Sequence, residues 1–531
     1  TLSARGRVPT TTAMLALAVS PTLGTWTRSA NVGAAEMAAE FGARSTGCYA
    51  EPGHVLINVA DGGGGRRRLN GLTAAEQFEL NFLQQRTSSE DEVTSVLNSV
   101  DTVAATVSAP TLQRLFSDPS VAHVEPDCIV GFSDEVEEVE PRTSTFSDGV
   151  QTGATWGIDR IDVPAGQDNI YNYGTATGAG TRVYVLDTGI RTSHQDFGGR
   201  AEAGWAAGPS GSGCTSASSC GSNWRYQGVI TDTECSDHGT HCAGTIGGTE
   251  YGVAKDTTVI AVQVLSCGGS GSTSGVINGM EWAVADAQAH GVPAVISMSL
   301  GGGYSATQNA AVASCVANDV MVVVAAGNED QDACNVSPAS APEALTVLAS
   351  AEGDSRAYFS NYGSCVDIGA PGVSIESASV CSDTCVVSMS GTSMACPHVA
   401  GVAALYRGQH PDLSATEASE GLLCHATPGP VISDLQGSPD LMLYGGSSIL
   451  ASDPSCPARP PSPPSPPAPV FDEDCNEECN YASDGDCDDG GPGSEYSGYC
   501  DLGSDCTDCG DRGDGGGDDP SPDPAPGPNP A

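Results

Sequence analysis

The chain has 531 residues, more than one hydrophobic core organises, so several modules are expected. Against 66 Asp and Glu stand only 20 Lys and Arg, a formal charge of -46, which repels phosphate backbones and argues against a nucleic-acid partner. The 21 cysteines, many closely spaced, point to an oxidising compartment, and no apolar stretch is long enough to span a bilayer.

In chain order, residues 1–47 read as a leader. Arg5 and Arg7 precede the apolar run 13–19, as in a secretory signal, although the chain opens on Thr1 and an incomplete start reads equally well. Residues 48–133 read as a small α+β unit with a ferredoxin-like pattern. Its run from Val55 to Val59 is strand-like, and Ser89, Glu90, Asp91 and Glu92 have the form of a capping box. That box predicts a helix carrying Val93, Val96, Leu97 and Val100 on one face. Ser108 can cap a second helix bearing Leu112, Leu115 and Phe116; Asp118-Pro119 breaks it, and Val121 to Asp127 returns as a strand. Residues 134–150 turn acidic and then rich in Ser and Thr, the composition of an exposed linker open to proteolytic cutting.

Residues 151–447 alternate apolar strands with helices: strands at 183–187, 258–264, 294–299 and 320–325, and helices around His238 and over 274–290. Apolar runs separated by helices predict a parallel sheet covered on both faces. A Gly- and Ser-rich stretch, 208–227, holds Cys214 and Cys220 and reads as a surface loop. Residues 448–470 contain repeated Ser-Pro-Pro and form a semi-rigid spacer. Residues 471–512 hold Cys475, Cys479, Cys487, Cys500, Cys506 and Cys509 among Asp and Gly, the composition of a small disulfide-rich module. Asp484, Asp486, Asp488 and Asp489 there offer oxygen ligands for calcium or simply a solvated acidic face. The tail, 513–531, is too rich in Gly, Asp and Pro to bury a core.

Four short motifs carry chemistry. Ser393 follows a Gly-Thr turn and opens a helix, which exposes its hydroxyl and aims backbone N–H groups at a developing negative charge. Asp187 ends a buried-strand pattern, His238 starts another helix, and Asn328 follows the strand 320–325 with a side-chain amide suited to an oxyanion hole. Singly, Asp187 reads as a strand-end turn former and His238 as a helix cap. The ordered set is poorly explained that way.

The segment Gly391 to Gly401, with the order Asp…His…Ser, resembles the nucleophile motif and triad order of subtilisin-like serine proteases. Trp156 to Asp162, Tyr251 to Lys255, Ser299 to Gly303 and Phe359 to Gly363 are similar to the proteinase K-like branch. The resemblance implies a subtilisin-like fold and a serine endopeptidase in which Asp187 orients His238, His238 is general base and then acid, Ser393 is the nucleophile and Asn328 an oxyanion donor. Leu300, Gly301, Gly302, Ala325 and Gly327 resemble the walls of the primary pocket, implying broad cleavage of protein and peptide substrates after apolar or aromatic residues. The pattern from Asp118 to Asp127 resembles the end of an inhibitory propeptide, so residues 48–133 become the enzyme's own inhibitor and folding aid. The resemblance also places self-cleavage between Pro141 and Trp156.

Pro342 and Ala344, through their carbonyls, and Asp367 match a structural calcium site of the family, with Asp159 and Asp162 as a second candidate. Cys235–Cys267 and Cys334–Cys365 match bridge positions of relatives, while Cys214–Cys220 and Cys381–Cys385 would close small loops. Cys242 resembles the family's buried free thiol, and His241 and His398 are assigned to packing. The implied protein is secreted and monomeric, with matrix or cell-wall contact as a role for the C-terminal module. The rival from another class is a catalytically silent binding protein on the same scaffold.

Overall fold

The computed structural model describes residues 48–60, 72–85, 88–89, 91–207, 236–429 and 432–446. The leader, the loop cysteines Cys214, Cys220 and Cys235, the Pro-rich spacer and the C-terminal module lie outside the described residues.

The central sheet has ten strands. Arg182–Asp187 pairs in parallel with Thr258–Gln263 on one side and Ala294–Met298 on the other. The ladder continues in parallel through Val320–Ala325, Leu345–Ala351 and Ile368–Pro371. Sequences such as Val-Tyr-Val-Leu and Val-Met-Val-Val-Val are apolar without alternation because both faces of these strands are buried. One face is covered by Asp237–Gly247 and Thr392–Gln409. The latter is buried along most of its length, its many Ala and Gly residues letting it lie close to the strands. The other face is covered by Thr273–His290 and Ala306–Ala317, packed with Tyr184, Ile260, Ile296 and Val322. Asp187, Met298 and Ala325 all end at the carboxyl edge of the sheet, where open α/β sheets bind ligands.

The expected parallel sheet is present, but the first module departs from the expected pattern over residues 92–106 and in one further helix. Residues 92–97 form a strand, Glu92–Leu97, antiparallel to Thr102–Thr106, instead of a helix. The β-branched Val93, Thr94 and Val96 favour the extended form, and the capping signal is spent elsewhere. Asp91, fully buried, accepts hydrogen bonds from Ser108 N and Oγ at 2.8 Å each and from Thr111 Oγ1 at 2.7 Å. It therefore anchors the start of the helix Ala109–Leu115, and the Ser108 hydroxyl makes no cap bond of its own. The other helix of this module is Ala74–Gln85, which the sequence reading passed over. Its signal was present: Thr73 and Glu76 form a reciprocal capping box, and Phe78 and Phe82 share one buried face.

This module lies against the larger α/β domain through two carboxylates. Glu125, in the strand Val121–Gly131, accepts from Ser305 Oγ (2.9 Å) and Thr307 N (3.2 Å) at the N-terminus of Ala306–Ala317. Asp127 accepts from Ser274 N (2.8 Å) and Oγ (2.6 Å) at the N-terminus of Thr273–His290. Each negative charge thus meets unpaired backbone donors and the positive end of a helix dipole. A disulfide, Cys48–Cys128, which the sequence did not assign, ties the start of the module to Val121–Gly131, the strand that pairs with Ala50–Val59. Beyond Gly131 the chain does not run free: Glu135–Glu138 pairs antiparallel with Val386–Ser390.

Candidate active site

The imidazole of His238 stands at the second residue of its helix, buried. Its Nδ1 lies 2.8 and 2.9 Å from the two oxygens of Asp187. The helix reaches this close to the strand end because residue 239 is glycine: a Cβ there would lie 2.3 Å from the Gly189 carbonyl. Asp187 also accepts from Thr188 N, which fixes the carboxylate, so the Nδ1–H tautomer is imposed on the ring.

Ser393 is buried in the first turn of Thr392–Gln409. Four residues on, Pro397 has no N–H, so the Ser393 carbonyl lacks its helical partner. Two side chains replace it: Ser299 Oγ donates at 2.8 Å and Cys242 Sγ at 3.4 Å. Cys242 belongs to the helix that carries His238, so this contact ties the two helices together at the site. The thiol is free, and burial pushes it well above the ordinary cysteine range, which suits a packing and hydrogen-bonding role. Asn328 is oriented by Thr392, whose N and Oγ1 both donate to Asn328 Oδ1 at 2.8 Å. Its Nδ2 is left facing the cleft. Neither Ser299 nor Thr392 was singled out from sequence; only the tertiary contacts give them a role.

The cleft is filled by the chain itself. Gly131 exchanges two backbone hydrogen bonds of 2.9 Å with Gly301, and Ile129 to Gly131 pairs antiparallel with Ser270–Ser272. The segment is thus a strand inserted between two edges. The Phe132 ring stacks on the His238 imidazole, centroids 3.5 Å apart and planes 7° from parallel. Asn328 Nδ2 donates to the Ser133 carbonyl and to Asp134 Oδ1, both at 2.9 Å, and Asp134 Oδ2 lies 2.8 Å from His238 Nε2. The Asp134 side chain is fully enclosed. Burial pushes the imidazole's pKa down, but the Asp187 charge and the Asp134 hydrogen bond outweigh it, and the result is about 10.

Of the expected pocket residues, Leu300 is buried behind the inserted strand, Gly301 pairs with it, and Gly302 faces Val130 and Ile129. Ala325 ends its strand, and Gly327 N donates to Thr392 Oγ1. Asp367 Oδ2 accepts from Thr346 N, two residues past Ala344, so carboxylate and loop lie side by side. Cys334–Cys365 and Cys381–Cys385 are bridged; Cys267 is disulfide-bonded, and its expected partner Cys235 lies outside the described residues. His241 Nε2 bonds the Ile375 carbonyl and His398 Nδ1 the Met394 carbonyl; burial lowers both rings to about 4, as expected of neutral packing histidines.

Comparison with known proteins adds an independent result. The sequence model of the subtilase family matches residues 178–444. An extracellular serine proteinase of Thermus sp. is 46% identical over 346 residues, covering 64% of this chain and 75% of its own. A cuticle-degrading serine protease of Arthrobotrys oligospora is 43% identical over 347 residues, covering 63% of this chain and 75% of its own. The alkaline serine exoprotease A of Vibrio alginolyticus is 42% identical over 360 residues, covering 66% of this chain and 60% of its own.

Proposed function

The chain belongs to the subtilase family of serine proteases, and on that premise we propose that Asp187, His238 and Ser393 are its catalytic residues, in a secreted, self-processing endopeptidase. The observation that carries the reading is a pair of contacts: the imidazole anchored on Asp187, and a peptide carbonyl, that of Ser133, held by the Asn328 amide.

In this mechanism His238 Nε2 takes the proton of Ser393 Oγ as the oxygen attacks the substrate carbonyl carbon. The Asn328 amide and the Ser393 backbone N–H stabilise the oxyanion, and Asp187 stabilises the imidazolium. The imidazolium then protonates the leaving amine, and water, activated by the same ring, hydrolyses the acyl-enzyme. Extended substrates bind by adding a strand between Ser270–Ser272 and Leu300-Gly301-Gly302, as Ile129 to Gly131 does, so the backbone supplies much of the affinity. Leu300, Gly301, Gly302, Ala325 and Gly327 leave space for large apolar or aromatic side chains.

Residues 48–133 act as inhibitor and folding aid, and residues 134–150 carry the processing region. Calcium is the expected structural ion: Asp367 and the carbonyls of Pro342 and Ala344 would supply the oxygen donors it prefers, and the hydrogen bond from Thr346 N to Asp367 Oδ2 brings the carboxylate beside the segment that carries them. Bound there, it would tie the 342–344 segment to the strand that follows Asp367. Secretion agrees with the disulfides and with the Thermus relative named as extracellular. The enzyme acts as a monomer, and residues 471–512 contact matrix or wall polymers. The deciding test is Ser393→Ala: the variant should neither hydrolyse peptides nor react with a fluorophosphonate, whereas the unaltered processed chain does both. Labelling that persists in the variant would remove Ser393 from the mechanism.

A further inference from the structure

The side chain of Asp134 contacts both His238 and Asn328 at once, while the carbonyl on its N-terminal side is held by the same Asn328 amide. We propose that Ser133–Asp134 is the peptide bond the chain presents for its own maturation cut, and that the Asp134 carboxylate is a latch that delays this cut. The inference rests on the catalytic assignment above.

The bond is identified by register. Gly131 is locked to Gly301 on one side and Ser270 on the other, which leaves Phe132 against the imidazole and puts the Ser133 carbonyl on Asn328 Nδ2. Downstream, Glu135–Glu138 pairs with Val386–Ser390, and the Arg142 guanidinium forks onto Glu376 with two bonds of 2.6 Å. The peptide between residues 133 and 134 is therefore held from both sides, and it lies upstream of the 141–156 stretch that the sequence favoured. In the cut, Ser393 Oγ bonds to the Ser133 carbonyl carbon and gives its proton to His238. The C–N bond to Asp134 then breaks as His238 returns the proton to the new amine. Water releases Ser133 as a free carboxylate and restores Ser393.

The latch acts on the first proton transfer. With Asp187 on Nδ1 and Asp134 on Nε2, both ring nitrogens of His238 donate, and no lone pair remains to accept the serine proton. His241 and Cys242, on the same helix, are buried, which keeps His241 neutral and Cys242 protonated, so neither offsets the two carboxylates. Asp134 Oδ1 also draws on the Asn328 amide that the oxyanion needs. The fit is close: a Cβ on residue 391 would lie 1.9 Å from Asp134 Oδ1, so the glycine before the Thr392–Gln409 helix makes room for the carboxylate.

The full chain with Asp134→Ala should process itself about ten- to a hundredfold faster than the unaltered chain, the range expected for losing a charge-assisted hydrogen bond. Mass spectrometry should find residue 134 at the new N-terminus of both. A cut elsewhere overturns the bond assignment, and an equal or slower rate overturns the latch. A spectroscopic readout separates a latch from a merely structural aspartate. In the Ser393→Ala full chain, nitrogen NMR in mildly alkaline buffer should show His238 doubly protonated, and adding Asp134→Ala should make it neutral. A neutral ring in both refutes the latch. Failure of the catalytic assignment itself looks different, because the Ser393→Ala chain would then still process.

Discussion

Replacing Asp127 by alanine tests whether helix N-termini hold the propeptide-like module in place. Asp127 receives two hydrogen bonds, from Ser274 N and Oγ at 2.8 and 2.6 Å, in the first turn of an 18-residue helix. Hydrogen bonds to a charged group contribute about 1.5–3 kcal/mol, and a helix dipole adds about 0.3–1 kcal/mol. Without Asp127 the Ser274 N–H loses its acceptor on docking and the hydroxyl keeps only Ser272 Oγ at 3.0 Å, whereas in the free enzyme water satisfies both in either variant. A net loss of about 2 kcal/mol follows, or roughly a thirtyfold weaker inhibition constant. The assay is inhibition of the processed enzyme by the separate segment 48–133, followed with a small peptide substrate. Asp127→Asn keeps an acceptor and loses the charge, so it should cost about half as much. Glu125→Ala acts on the other helix, and its effect should add to that of Asp127→Ala. An Asp127→Ala segment that keeps its circular dichroism and inhibits within about threefold of the original would refute the reasoning.

Three further outcomes are expected. Thr392→Val removes one of the two bonds that aim the Asn328 amide and should lower kcat about tenfold with KM nearly unchanged; an equal change in both constants would mean that Thr392 acts on binding. His241 and His398 titrate near 4 when folded and near 6.5 when free, so the unfolded chain binds more protons between those values. Stability is full above the upper value and falls as pH drops toward the lower one, by roughly 3 kcal/mol per ring, and urea unfolding of the Ser393→Ala chain should show less of this slope when His398 is also changed to Gln. Chelating calcium and Asp367→Asn should each lower the thermal midpoint of the processed domain while leaving peptide hydrolysis intact at low temperature, and unchanged midpoints in both would make Asp367 an ordinary loop carboxylate.

Much of the site was legible in the sequence because its residues sit at the ends of strongly patterned elements. A strand that is apolar throughout and ends in Asp187, a helix that opens at His238, and a Gly-Thr-Ser turn before a small-residue helix all announce themselves locally. The parallel order of the sheet follows from the same alternation. The sequence misled where a local signal served a distant partner. Ser89 to Glu92 looks like a capping box for the segment that follows, but the Asp91 carboxylate within it binds Ser108 and Thr111, and residues 92–97 become a strand because Thr102–Thr106 is there to pair with them.

What only the tertiary structure decided is which groups meet across long separations. Pro397 frees the Ser393 carbonyl, but that Ser299 and Cys242 answer it is a matter of packing between strand and helices. Likewise Asp134, one acid in an acidic run, acquires its place only because Gly131 pairs with Gly301 and fixes the register three residues before it. That pairing carries the carboxylate onto His238 and Asn328. A strand's register against a distant edge is set by backbone hydrogen bonds and the fit of neighbouring side chains, neither of which leaves a local mark on residues 131–134.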